Sequence, residues 1–186
     1  MTRLPGFLAR LRERESMGRL AMDARILTVT RSGEVRLTAW DEVDLDKALW
    51  SIPAERMKMG RPHIVPPSPE ALDVFRRAEK HRIPATNLVF YGQQVKRPMS
   101  DMTLLKILRD MELTYTVHGF RSAFRDWVAE ETSYPGEVAK AALAHAIPNK
   151  VKAAYRRTDF LEKRRSVMRD WSQYCASELG AFKPQS

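Results

Sequence analysis

The chain has 186 residues, 44% hydrophobic and 30% charged, the size and balance of one globular domain with a buried core. Thirty-two Lys and Arg against 23 Asp and Glu leave a net charge of +9, which favours a polyanionic partner but also suits RNA, an anionic membrane surface or plain solubility. Cys175 is the only cysteine, excluding an internal disulfide and a cysteine-rich zinc site, and no apolar run reaches membrane-spanning length. Met1 to Arg14 is charged throughout and lacks a signal core, so a reducing, cytoplasmic setting and no membrane partner are expected.

In chain order, Phe7, Leu8, Leu11, Leu20 and Ile26-Leu27 read as helical but charge-laden, and Ser32-Gly33-Glu34 breaks the pattern. A new helix is expected next, with Val35, Ala39 and Val43 on its buried side. Leu49-Trp50-Ser51-Ile52-Pro53 reads as a strand and His63-Ile64-Val65-Pro66 as its antiparallel partner. The turn chemistry of Arg56-Met57-Lys58-Met59-Gly60 between them places Lys58 at or near a β-turn. Ser68 or Pro69 opens a helix through Leu72, Phe75 and Ala78. Leu88 to Tyr91 is a short apolar segment, followed by a basic loop at Lys96-Arg97-Pro98, and Ser100-Asp101 caps a helix with Leu104, Leu105 and Leu108.

The remainder reads as helical. Val117, Phe120, Phe124, Trp127 and Val128 form one apolar stripe, and Pro135-Gly136 separates it from an Ala-rich helix, Glu137 to Ala146. Tyr155 lies in a short segment from Asn149 to Arg156. Thr158-Asp159 caps a last helix with Leu161, Met168, Trp171 and Cys175 along one face, suited to packing either within the chain or on a partner. The expected fold is mainly α with a small antiparallel β-sheet, an α+β domain.

His118 and Arg121, three apart near a helix start, project from one side, on a rim beside the apolar stripe where the helix N-terminus adds positive potential. Taken singly, His118, Arg121, Tyr155, His145, Arg31 and Lys58 each suit an ordinary solvated or packing role. As an ordered set they resemble the tyrosine recombinase, or phage integrase, family. Arg31 falls in its Arg-x-Gly-Glu element (Arg31-Ser32-Gly33-Glu34), followed by Trp40, and Lys58 falls in its β-hairpin. His118-Gly119-Phe120-Arg121 matches the His-x-x-Arg motif, Leu143-Ala144-His145 the Leu-x-His element and Ala153-Ala154-Tyr155 the Ala-x-Tyr slot. The resemblance runs from about Leu4 to Ala176 and is closest to integrases of prophages and genomic islands.

It implies a catalytic domain spanning residues 1–186, without the arm-binding and core-binding domains that precede it in relatives, as in a fragment or a truncated gene product. The implied partners are double-stranded DNA at attachment sites and further protomers in a synaptic tetramer. The implied chemistry is cleavage and rejoining through a 3′-phosphotyrosyl link at Tyr155, with no cofactor and no metal. Arg31 and Arg121 would clamp the phosphate oxygens, a task that suits the fixed guanidinium fork. His118 would be the base, Lys58 the general acid, His145 a phosphate ligand, and Glu34 would orient its basic neighbours. Three other readings stay open: a non-catalytic DNA-binding module, a type IB topoisomerase-like enzyme, and a purely structural helical protein without affinity for DNA. Asp23 and Arg25 stand where relatives are mostly apolar, and Pro67 where a Leu is common; either a loosened fold or side chains reaching solvent is expected there.

Overall fold

The first amphipathic stretch divides at Ser16, whose hydroxyl accepts the Arg19 N–H at 3.2 Å and so starts a new helix. The result in the computed structural model, which describes residues 4–94, 96–113, 116–145 and 159–177, is α1 (Leu4–Arg12) followed by α2 (Met17–Thr28). Every residue of α2 from Leu20 to Thr28 is buried, because α1, α3 (Ser32–Arg36), α4 (Pro69–Glu79), α5 (Met102–Asp110) and α8 (Leu161–Ala176) all pack on it. A helix enclosed on all sides has no solvent face to offer Asp23 and Arg25, and neither reaches water. Asp23 is matched by a two-pronged Arg12 ion pair, Nε and Nη2 at 2.7 and 2.8 Å.

The helix expected through Val35, Ala39 and Val43 is cut short: α3 ends at Arg36. Thr38 turns its hydroxyl back onto the Glu34 and Val35 carbonyls, and the backbone beyond is claimed by a distant segment. Trp40 N–H donates to Asn87 O and Val89 N–H to Thr38 O, both at 2.9 Å, with an Ala39–Leu88 bridge between them. After one 3₁₀ turn (Trp40–Glu42), Val43 enters a strand rather than a helix.

That strand, β1 (Val43–Asp44), pairs antiparallel with β2 (Leu49–Ile52), which pairs antiparallel with β3 (His63–Val65). The expected hairpin is therefore present, with one strand more than the sequence reading supplied. In register, Trp50 faces Val43 on one side and Val65 on the other, and Ile52 faces His63. Ser68 caps α4 through the Ala71 N–H, with Pro69 in its first turn. Pro67 is buried at this junction, beside a Ser68–Ser172 hydroxyl pair at 2.6 Å.

α6 (Gly119–Glu131) and α7 (Gly136–Ala142) complete the layer around α8. Phe124, Trp127, Trp171 and Tyr174 form one aromatic cluster with ring centroids 5.2–6.1 Å apart. Trp171 also donates its indole N–H to the Ile26 carbonyl at 2.9 Å, securing α8 to the end of α2. The face of Met168, Trp171 and Cys175 is thus satisfied inside the chain. Among the described residues, no helix is long and apolar enough to cross a membrane.

Candidate active site

The site begins at the first turn of α3. Glu34, 3% exposed, returns one carboxylate oxygen to the Arg31 N–H at 2.7 Å and the other to Arg31 Nη1 at 2.6 Å. One side chain thus caps the helix and fixes the direction of the Arg31 guanidinium, whose side chain as a whole keeps about a quarter of its surface open (26%). The Lys58 hairpin is joined to this turn by Arg56, which donates to the Glu34 carbonyl at 3.0 Å and pairs with Glu42. Glu42 also accepts the Trp50 indole N–H at 3.3 Å. Lys58 itself stands exposed on the turn, where Gly60 takes a left-handed φ of 60° and donates its N–H to Met57 O.

Arg121 departs from the rim position expected of it: it is 4% exposed, whereas His118, at the N-cap of the same helix, is exposed. The reason lies in two helix ends. Val29 caps α2 with a left-handed φ of 51° and Leu143 caps α7, and both carbonyls lie beyond the reach of their own helices. Arg121 donates Nη1 to Val29 O and Nη2 to Leu143 O, the latter at 2.6 Å. The guanidinium therefore splices α2, α6 and α7 together, leaving its Nε without a partner among the described residues. Ala144, with a left-handed φ of 47°, then turns the chain so that His145 follows directly.

The charges of these elements act on one another. Burial first, and then the neighbouring Arg31 charge, pull the Arg121 guanidinium down to about 10, against the opposing influence of Glu34. His145 is held below the usual imidazole value by burial, and then by the charges of Arg121, Arg31, Arg125 and His118. The structure therefore brings Arg31, Glu34, Arg121, His118 and His145 into one electrostatic neighbourhood and ties Lys58 to it through Arg56. Tyr155 lies outside the described residues. Among those residues, no group of three or more His, Cys, Asp or Glu is arranged to hold a metal ion.

Three participants escaped the sequence reading. Arg56 and Glu42 are struts whose partners lie 8 to 22 positions away, with no local pattern to betray them. His63, the first residue of β3, is half-buried beside Ala142 of α7 and Arg164 of α8. Burial above all, then the Arg164 and Arg121 charges, lower it to about 4, although Glu34 and a hydrogen bond with the Ala142 backbone oppose the shift. Its folded value is depressed below the ordinary 6.5, so its stability contribution is complete above pH 6.5 and is lost as pH falls towards 4. Between pH 7.5 and 4.5, wild type should lose about 2–3 kcal/mol more stability than His63→Gln. Denaturant melts at the two pH values check this; parallel losses would exclude His63 as the titrating group.

Arg31 and Arg121 thus meet around the ends of α2, α3 and α7, with the exposed Lys58 hairpin tied to them and two histidines beside them, a cationic cluster of a kind suited to an anionic group. The chain belongs to the phage integrase family, whose model matches residues 7–162. It is 36% identical over 152 residues to prophage integrase IntA of Escherichia coli strain K12, covering 80% of this chain and 36% of that protein. To the integrase of Enterobacteria phage P4 it is 35% identical over 193 residues, covering 93% of this chain and 44% of the relative. The chain thus spans less than half the length of these curated relatives. In fold it is similar to a crystal structure of a lambda integrase(75-356) dimer bound to a COC′ core site. The TM-score is 0.57 at 17% identity, over 86% of this chain and 59% of that one.

Proposed function

We propose that this chain is the catalytic domain of a tyrosine-type site-specific recombinase, cutting and rejoining double-stranded DNA through a 3′-phosphotyrosyl link at Tyr155. The observation that carries the reading is the Arg31–Glu34–Arg121 arrangement, in which both guanidiniums are oriented before any phosphate arrives. Attack on a phosphodiester concentrates negative charge on the non-bridging oxygens, and donors already in place need no reorganisation as that charge grows. The Tyr155 oxygen bonds to phosphorus while the bond to the 5′-oxygen breaks. His118 accepts the phenol proton, Lys58 protonates the departing 5′-oxygen, and His145 adds a hydrogen bond to the phosphate. The reverse attack by a 5′-hydroxyl reseals the strand, so no external energy source is consumed. Four such protomers on two attachment sites would form the synaptic tetramer, in the bacterial cytoplasm at the nucleoid. Membership of the family and the fold shared with the DNA-bound lambda integrase dimer support DNA and self-association as the partners.

The test is a pool of duplexes with sequence randomised around a nick, so that cleavage releases a short fragment and traps the enzyme. A detergent-resistant protein–DNA adduct is expected. Salt-sensitive binding without adduct at any salt would make the chain a DNA-binding module, and relaxation of supercoiled plasmid irrespective of sequence would make it topoisomerase-like.

A further inference from the structure

Arg25 lies on α2 one helical turn before Val29, whose carbonyl Arg121 grips, and is only 1% exposed. Its guanidinium sits over the Phe120 ring, 6.0 Å from the centroid, next in sequence to Arg121. Among the described residues, its Nε and Nη1 have no hydrogen-bond partner. The carboxylate two positions earlier, Asp23, is committed to Arg12 on another side of the helix. Glu34, the acidic group whose field reaches Arg25, is already paired with Arg31. Arg25, Arg31 and Arg121 therefore share one carboxylate. The α2 C-terminal dipole and the Phe120 face ease this excess without cancelling it. Burial, and then Arg121, lower Arg25 to about 10, which still leaves it charged at neutral pH.

A methionine would fill much the same space with no charge to desolvate. We propose that Arg25 is a third arginine of the cationic cluster, a positioning residue that acts through Arg121. Its uncompensated charge raises the positive potential at the Arg31–Arg121 pair, so that a DNA phosphate bound there relieves a repulsion built into the fold. This rests on the recombinase reading for its catalytic consequence, but not for its effect on phosphate binding.

The consequence is a pair of opposite signs. Arg25→Met should melt about 5 °C higher than wild type without DNA, because an unpaired buried charge is gone. The same variant should gain less thermal stabilisation from a short blunt duplex at low salt, and should form the nicked-duplex adduct about tenfold more slowly. Arg25→Lys, which keeps the charge, should recover most of both losses. An Arg25→Met protein that melts higher yet is stabilised by DNA and reacts like wild type would show that Arg25 is burial without a role. One that melts lower would make it a packing residue; either result overturns the proposal. If wild type forms no adduct, the recombinase reading fails, and the duplex-induced stabilisation of the three proteins still decides the role of Arg25.

Discussion

Tyr155→Phe is expected to abolish the nicked-duplex adduct while leaving duplex affinity within about twofold of wild type. The substitution keeps the ring and removes only the oxygen that bonds to phosphorus in the proposed reaction, so that reaction could form no covalent link. With an unperturbed phenol value of about 10, an attacking tyrosine oxygen must give up its proton, which is why the proposed reaction needs a base. The chain has five tyrosines, and three of them are committed elsewhere. Tyr91 donates to His81 O at 3.1 Å. Tyr134 donates to buried Asp170 at 2.6 Å, and burial followed by that carboxylate push its phenol well above the ordinary value. Tyr174 is stacked on Trp171 and raised by burial. Tyr115→Phe is therefore the informative companion, since Tyr115, like Tyr155, is not described. An adduct that survives Tyr155→Phe but disappears with Tyr115→Phe would reassign the nucleophile.

Arg121→Lys should lower the single-turnover rate of adduct formation about 10²–10³-fold, the usual cost of one preorganised donor. It should also cost stability, about 2–4 kcal/mol, because a single ammonium cannot span the Val29 and Leu143 carbonyls that the guanidinium joins. The two effects are separable: rate is measured well below the variant's melting temperature, and stability by denaturant melts. A folded Arg121→Lys protein that reacts at the wild-type rate would remove Arg121 from the chemistry and leave it a splice between helices.

Much of the fold was legible because it is written locally. Ser68 and Pro69 open α4, Gly60 closes the hairpin turn, and Phe120, Phe124, Trp127 and Val128 align on α6. The failures share another origin. Val43 lies at helical spacing from Val35 and Ala39, but pairing with the segment around Leu88 outcompetes the helix. Arg121 looks solvated by spacing alone, yet two distant carbonyls claim it. The same holds for the polar positions of α2. Asp23 pairs across to Arg12, while Arg25 is enclosed with its charge unmatched.

By itself, the sequence determined most of the helices, the hairpin that presents Lys58, and the family to which Arg31, Glu34, His118, Arg121, His145 and Tyr155 point. Only the tertiary structure decided which of those described residues are buried, that Glu34 aims Arg31, that Arg56 joins the hairpin to α3, and that Arg25 and His63 lie within the field of Arg121. Periodicity and capping depend on neighbours within a turn or two. Burial, ion pairing and depressed titration depend on what the chain places alongside from far away, and α2 is the point where those distant contributions meet.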